Sequence, residues 1–290
     1  MNFFILSVLS YLVQGFSNKK FSLRVRKSSL GTALSQNATA CICSFFTLML
    51  TGSIVALPQS VWLLAVLFGI SFLATVFLLL CAFMHGTVGL STLVCNIGTF
   101  VAVFYGVVRF DDAFTPFIAA GFVCMLFAVI LSTPFGKNVE KGGVKWFLFA
   151  LGSGVCNGIV ASVKREAVGK ISDNIESFLA FGFLFAGVFA VLLAFCFKST
   201  RTDAYEVIRT PGVMIWGAFA GIGGVLANLF QMLALKTVPS TIVYPLTSGI
   251  LVVTLWLASL LIYKEVKARV NNILAVIFCL LAIFFVNIKM

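Results

Sequence analysis

Several amide side chains interrupt otherwise apolar stretches of this sequence, and these residues could bind a solute. Gln14 and Asn157 stand out because each precedes a glycine, Gly15 or Gly158, that permits a close backbone approach. Polar groups in such a setting mark solute or ion pathways, although hydrogen bonds between helices are the alternative interpretation. The other candidates for a solute cavity are Asn18, Gln36, Asn37, Asn96, Asn228, Gln231 and Tyr244.

Two lysines and one proline could control access to such a cavity. Lys19 and Lys164 follow Gln14 and Asn157 in the chain, and we interpret them as charged gate residues. If they face the cavity, the solute would be anionic or zwitterionic; if they face lipid headgroups, they only reach to the interface. Pro245 has no backbone donor, so it predicts a break in its helix.

The residues that hydrolytic and metal enzymes require are missing from the apolar segments. All nine acidic residues fall in predicted loops or within one turn of a helix end, and His85 is the single histidine. Proteases and metal hydrolases need paired buried acids or histidines, so we expect no enzyme activity, no catalytic residue, no metal and no cofactor. The same lack of a membrane-buried acid argues against a proton-coupled exporter of cations.

The elements that position these residues are predicted to be membrane helices. Of the 290 residues, 61% are hydrophobic and only 10% are charged, whereas a soluble domain carries about a quarter charged residues. A helix needs roughly 20 apolar residues to cross the bilayer core. Ten spans are predicted, at residues 2–17, 30–53, 60–83, 87–108, 113–133, 144–163, 176–197, 212–235, 239–262 and 269–288.

The connections between these spans are short, and residues 198–211 form the longest predicted loop of the second half. The chain therefore has no room for an appended soluble domain. The net charge of +11 fits contact with anionic lipid, and we expect no nucleic-acid partner. The sequence leaves the oligomeric state open.

Three landmarks of the first half recur about 150 residues further on. An amide beside a glycine is followed by basic residues, a helix end leads at once into a new span, and an acidic group opens the last helix. These landmarks predict two repeats, residues 1–136 and 142–290. Because each repeat has an odd number of helices, the two repeats must cross the membrane in opposite directions, as in secondary transporters. The predicted fold class is an all-α integral membrane protein of ten transmembrane helices in two inverted five-helix repeats.

The stretch from Gln231 to Ser240, with Tyr244-Pro245-Leu246 and Glu265, resembles the drug/metabolite transporter superfamily of EamA type. The polar end of the first span, from Gln14 to Lys19, is similar to that family's first helix. The resemblance implies a secondary transporter, an exporter or exchanger, that moves a small metabolite by alternating access. The alternative is a membrane-integral protein without transport activity, which binds a partner or modifies lipid. The expected location is the plasma (inner) membrane of a bacterium, and the solute stays unidentified.

The orientation of the termini is left open by two arguments that disagree. The termini and the loops on their side carry 6 basic residues, and the other side carries the remaining 14 of 20. Cytoplasmic loops are the more basic ones, so this count places both termini outside. The resemblance instead implies that both termini are cytoplasmic, and we prefer this orientation.

Overall fold

The structure is a computed structural model that describes residues 2–25, 29–52, 54–86, 88–112, 114–132, 143–171, 174–196, 198–262 and 270–287. Within these residues the chain forms helices joined by short connections, and no strand occurs. The helices are α1 (Asn2–Arg24), α2 (Leu30–Thr51), α3 (Gln59–His85), α4 (Val88–Cys95), α5 (Gly98–Phe110), α6 (Pro116–Ser132), α7 (Gly143–Lys170), α8 (Ile175–Cys196), α9 (Lys198–Ile208), α10 (Pro211–Leu235), α11 (Ser240–Leu261) and α12 (Val270–Asn287).

Seven helical stretches within the described residues are long and apolar enough to cross a membrane. Six of them lie in α2, α3, α7, α8, α10 and α11, and the seventh, Leu90–Phe110, combines most of α4 with α5. Shorter apolar stretches lie in α6 and α12, at Pro116–Ala128 and Ile273–Ala282. For α1, α6 and α12 the assignment as membrane spans stays a prediction.

Two helices are longer than the sequence predicted. The first segment was expected to end at residue 17, but α1 continues to Arg24, and α7 continues past residue 163 to Lys170. Lysine and arginine are good helix formers, so the basic residues at these positions do not stop a helix. Asn18, Lys19 and Lys164 consequently lie inside helices rather than in loops.

The fourth predicted span, residues 87–108, is divided into α4 and α5 by a turn at Asn96 and Ile97. The Asn96 amide donates to the Thr92 carbonyl oxygen at 3.0 Å. Immediately after the turn, Gly98 packs so closely on α7 that an added Cβ atom would lie 2.1 Å from the Gly154 carbonyl oxygen. The turn and the glycine pair therefore bring α4, α5 and α7 into backbone contact.

The predicted loop at residues 198–211 is mostly helical, which corrects the sequence analysis. Thr200, Ala204 and Val207 are buried, and their spacing places them on one face of α9. This face packs against α2, where an added Cβ atom on Gly31 would lie 2.3 Å from the Thr200 carbonyl oxygen. The short helix forms because tertiary contacts cover its narrow apolar face.

The helices pack in a regular pattern around a central space. The most extensive contacts join α1 to α10 and α3 to α7, and α2 to α8 and α6 to α12 are also paired. Aromatic rings fill the α3–α8 interface, where the Phe68 and Phe72 rings lie 5.5 and 5.0 Å from the Phe183 ring. The helices α1, α3, α4, α5, α7, α10 and α11 surround the space that contains the candidate site.

Candidate functional site

A cavity of about 140 Å³ lies at the centre of the helix bundle. Its α3 wall extends from Phe72 to Phe83, which at 1.5 Å per residue corresponds to about 16 Å of depth. Eight of the predicted site residues line the cavity: Gln14, Asn18, Asn96, Asn157, Lys164, Asn228, Gln231 and Tyr244. Residues that are far apart in the chain thus converge on one space.

Lys164 is the single charged side chain among the described residues that line the cavity. It is 2% exposed, and its Nζ atom donates to Asn228 Oδ1 at 2.9 Å. It makes a shorter contact with Gln231 Oε1 and a longer one, 3.4 Å, with the Tyr11 hydroxyl. Tyr11 in turn donates to Gln231 Oε1 at 3.0 Å. These four residues join α1, α7 and α10 at one end of the cavity, and we call them the Lys164 cluster.

The Lys164 cluster forms because α10 presents its polar residues on one face and packs closely on α1. Asn228 and Gln231 are three residues apart, so their side chains lie side by side. An added Cβ atom on Gly223 would lie 2.8 Å from the Gln14 backbone nitrogen, and one on Gly224 would lie 2.8 Å from Gln14 Nε2. Glycines at these positions therefore allow the α1 and α10 backbones to approach.

Tyr244 borders the Lys164 cluster from α11. Its hydroxyl donates to the Ala161 carbonyl oxygen at 2.6 Å, and its ring centroid lies 6.0 Å from Lys164 Nζ. That distance is at the outer limit of a cation–π contact. The neighbouring Pro245 faces a separate small cavity beside Phe122 and Ala282.

The predicted break at Pro245 is not observed, because α11 continues through this residue without interruption. Proline removes one hydrogen bond, the bond to the carbonyl of the residue four positions earlier. Here that residue is Thr241, the second residue of α11, so the missing bond affects only the first turn of the helix.

Four predicted site residues lie outside the cavity lining: Pro245, described above, and Gln36, Asn37 and Lys19. The Gln36 amide donates to Asn18 Oδ1 at 2.8 Å and so supports a lining residue from behind. Asn37 is fully buried and donates to the Leu73 carbonyl oxygen at 3.0 Å, which ties α2 to α3. Lys19 is 3% exposed and belongs to α1, but it is not part of the cavity lining.

A second polar layer lies beyond the Lys164 cluster, where α5, α7 and α10 end and α11 begins. Arg165 donates to the Leu235 carbonyl oxygen at 3.2 Å and lies 3.6 Å from an Asp112 carboxylate oxygen. The Ser240 hydroxyl makes a short hydrogen bond to the other Asp112 oxygen. Nearby, Glu166 contacts Lys170 at 3.3 Å. We call the contacts of Arg165, Asp112, Ser240 and Leu235 the Arg165 layer.

Sequence reasoning missed some lining residues that carry hydroxyl groups. Tyr11 lies three residues before Gln14, so the spacing on one helix face could have indicated it. Thr99 donates to the Ser248 hydroxyl at 2.9 Å across α5 and α11, and both residues line the cavity. Serine and threonine in apolar helices usually bond their own backbone, so their presence alone gives no such signal.

Comparisons with known proteins agree with this architecture. The model of the EamA-like transporter family matches residues 144–288. Among solved structures, 28 chains match, and one of them, described only as the crystal structure of a protein, has a TM-score of 0.64 and 13% sequence identity. The match covers 99% of this chain and 98% of that chain. At this identity the likeness shows the fold alone, and no curated protein sequence matches the chain.

The apolar helices and the family match together define an integral, multi-pass membrane protein. The chain belongs to the EamA-like transporter family. This confirms the resemblance to the drug/metabolite transporter superfamily that the sequence indicated. The family is one of membrane transporters rather than enzymes, and its partners are accordingly a small-molecule solute and membrane lipid.

Proposed function

We propose that the protein is a secondary transporter that carries a small metabolite by alternating access, as an exporter or an exchanger. The observation that supports this most strongly is the central cavity, which amide, hydroxyl and apolar side chains line together. The Lys164 cluster and Tyr244 line one end of it, which we call the Lys164 end, and the walls continue to Phe83 and Leu255 near the opposite ends of α3 and α11. A solute bound in this cavity would lie between two potential entrances.

The Arg165 layer closes the Lys164 end in this conformation. It joins the end of α7 to the end of α10 and, through Asp112 and Ser240, the end of α5 to the start of α11. Alternating access then requires that these contacts separate while the helices come together near Phe83 and Leu255. Individual hydrogen bonds and ion pairs contribute little net free energy, so these contacts can be replaced by contacts with water. They are therefore suited to a gate.

The helix packing supports an arrangement of ten spans as two inverted repeats. In that arrangement α1 corresponds to α7, α2 to α8, α3 to α10, α4 with α5 to α11, and α6 to α12. Exchanging the halves converts the α1–α10 contact into α7–α3, and the α5–α7 contact into α11–α1, and both members of each pair occur. The contacts α2–α8 and α6–α12 each convert into themselves, as expected on a two-fold axis.

The charge of the cavity favours solute exchange over coupling to protons through a carboxylate. Cation–proton antiport ordinarily uses a membrane-buried acid for which proton and substrate compete. Among the described residues that line the cavity, none is acidic. We therefore propose that a second solute, or the gradient of the solute itself, drives transport.

Reconstitution tests the proposal. Purified protein in proteoliposomes would be assayed for uptake of labelled amino acids, nucleobases, sugars and sugar phosphates, against liposomes without protein. The proposal predicts protein-dependent flux of at least one solute, which also raises the melting temperature of the detergent-solubilised protein. If no solute moves and none shifts the melting temperature of folded protein, the chain is a membrane protein without transport activity.

A reporter fused to the C-terminus addresses the orientation. The EamA-like family topology predicts a cytoplasmic reporter, whereas the excess of basic residues on the opposite side of the chain predicts the reverse. Because the two predictions are opposite, one fusion distinguishes them.

A further inference from the structure

The Lys164 ammonium is buried among neutral oxygen atoms. Its partners are the side-chain oxygens of Asn228 and Gln231 and the Tyr11 hydroxyl. The Asn228 amide is oriented by its own nitrogen, which donates to the Gly224 carbonyl oxygen at 2.7 Å, so its oxygen faces the lysine. These dipoles partly replace water around the ammonium, but none of them carries a negative charge.

The acidic groups at this end of the bundle are engaged with other cations. Asp112 lies 3.6 Å from Arg165. Glu166 lies 3.6 Å from Arg109 and 3.3 Å from Lys170, and it accepts a hydrogen bond from Tyr105. Within the described part of the chain, therefore, no carboxylate forms an ion pair with Lys164.

A buried charge is costly unless an opposite charge pairs with it. The cavity borders the Lys164 cluster, so a bound solute can supply that charge. We infer that the transported solute is a small organic monoanion whose carboxylate-type group binds the Lys164 ammonium, an inference that rests on the proposed function. The solute oxygen would replace one of the neutral oxygens, and the longest contact, to the Tyr11 hydroxyl at 3.4 Å, is the one most easily exchanged.

The remaining lining residues indicate the size and polarity of the part of the solute that lies beyond its anionic group. Besides its polar groups, the lining carries apolar side chains, among them Phe72, Val76, Leu79, Phe83 and Leu251. The cavity volume of about 140 Å³ is similar to that of an apolar cavity that holds benzene. A solute with one anionic group and a short aliphatic or aromatic body fits both the chemistry and the space.

A zwitterion fits less well than a monoanion. The ammonium of an α-amino acid lies close to its carboxylate, so binding would bring two positive charges near each other in a poorly solvated site. Like charges at such a distance disfavour binding. The described lining contains amide and hydroxyl groups but no acid to receive the second ammonium. A hydroxyl group in its place can instead bond the amides.

Three solutes of equal size separate these possibilities. They are 2-hydroxy-4-methylpentanoate, a monoanion; leucine, in which an ammonium replaces the hydroxyl; and 2-hydroxy-4-methylpentanamide, which is neutral. Calorimetric titration and thermal unfolding of the solubilised full chain would give their affinities. We expect the monoanion to bind at least about tenfold more tightly than either of the others, because it alone pairs with the buried ammonium.

Two variants test whether Lys164 causes the preference. Lys164→Met keeps an unbranched side chain only one atom shorter but removes its charge, and should make the monoanion bind no better than the amide. Asn228→Asp places a fixed carboxylate beside the ammonium. It should raise the melting temperature without solute and weaken monoanion binding about tenfold or more. Lys20→Met removes a charge from an exposed site and should leave the preference unchanged.

The results distinguish this inference from the proposed function. Leucine or the amide binding as tightly as the monoanion, a preference that survives in Lys164→Met, or no binding of the monoanion at millimolar concentration would each overturn the inference. Transport of some other solute in that case would leave the proposed function intact. Conversely, Lys164-dependent binding of the monoanion without any flux would support the anion site and overturn the transporter.

Discussion

The Lys164 ammonium donates a 2.9 Å hydrogen bond to the Asn228 side-chain oxygen, and this contact connects α7 to α10 across the central cavity. The two residues are 64 positions apart in the chain. Their meeting depends on the small residues that let α10 pack on α1 and on the register of α7. The sequence predicted Lys164 as a gate residue and Asn228 as a cavity residue separately, and the structure places both in one cluster.

The amides of the two halves are expected to act in transport more than in folding. Gln14 and Asn157 both line the cavity, so replacing either by alanine removes a group that can bond the solute. We predict that Gln14→Ala and Asn157→Ala lower the transport rate several-fold while the yield of folded protein changes little. Gln59→Ala, at the exposed start of α3, is the matched control. Equal losses of yield and rate would show that the two amides only hold helices together.

The Arg165 layer should contribute measurably to stability. Asp112 is 9% exposed at its side chain and pairs with Arg165. Asp112→Asn should lower the free energy of unfolding by about 1–3 kcal/mol, because the partly buried Arg165 guanidinium loses its charged partner. Asp111→Asn is the control, since Asp111 is exposed and has a φ of 54° that asparagine also tolerates. Thermal unfolding of both variants in detergent gives the comparison, and equal melting temperatures would contradict a closed layer.

The contact between α5 and α7 should not tolerate even one added methyl group. A Cβ atom on Gly98 would lie 2.1 Å from a backbone oxygen, whereas one on Gly169 would meet its nearest atom at 3.7 Å. We predict that Gly98→Ala lowers stability by about 1–3 kcal/mol or more through overpacking. Gly169→Ala should be neutral or should raise stability by up to about 1 kcal/mol, because alanine favours the helix. A Gly98→Ala variant with the wild-type melting temperature would show that the backbones are further apart.

The sequence predicted the positions of the apolar helices well because their length and composition are local properties. It did not predict the turn at Asn96, since that turn depends on the packing of Gly98 against Gly154. A loop was also predicted at residues 198–211, because only three residues of α9 are buried and they form a weak apolar pattern. These features are set by contacts between segments that are distant in the chain.

The candidate site was predictable in residue type more than in arrangement. Isolated amides in apolar segments indicated all the amide side chains among the described lining residues. The rotation of each helix, however, decides whether a lysine near a helix end reaches the interface or the interior. Lys164 turns inward to Asn228, whereas Lys19 lies outside the cavity lining. Tyr11 gives no clear signal by its residue type alone, since tyrosine commonly anchors helices at the membrane interface.

Solute exchange in proteoliposomes tests the central claim most directly. Vesicles that contain wild-type protein and an unlabelled small metabolite would be diluted into the same metabolite in labelled form, beside vesicles with Lys164→Met of equal melting temperature. The account predicts a transient accumulation of label with the wild type for at least one small metabolite, and its loss in the variant. Folded wild-type protein that exchanges no solute would contradict the proposed transport, and a Lys164→Met variant that exchanges as fast as the wild type would contradict the role of Lys164.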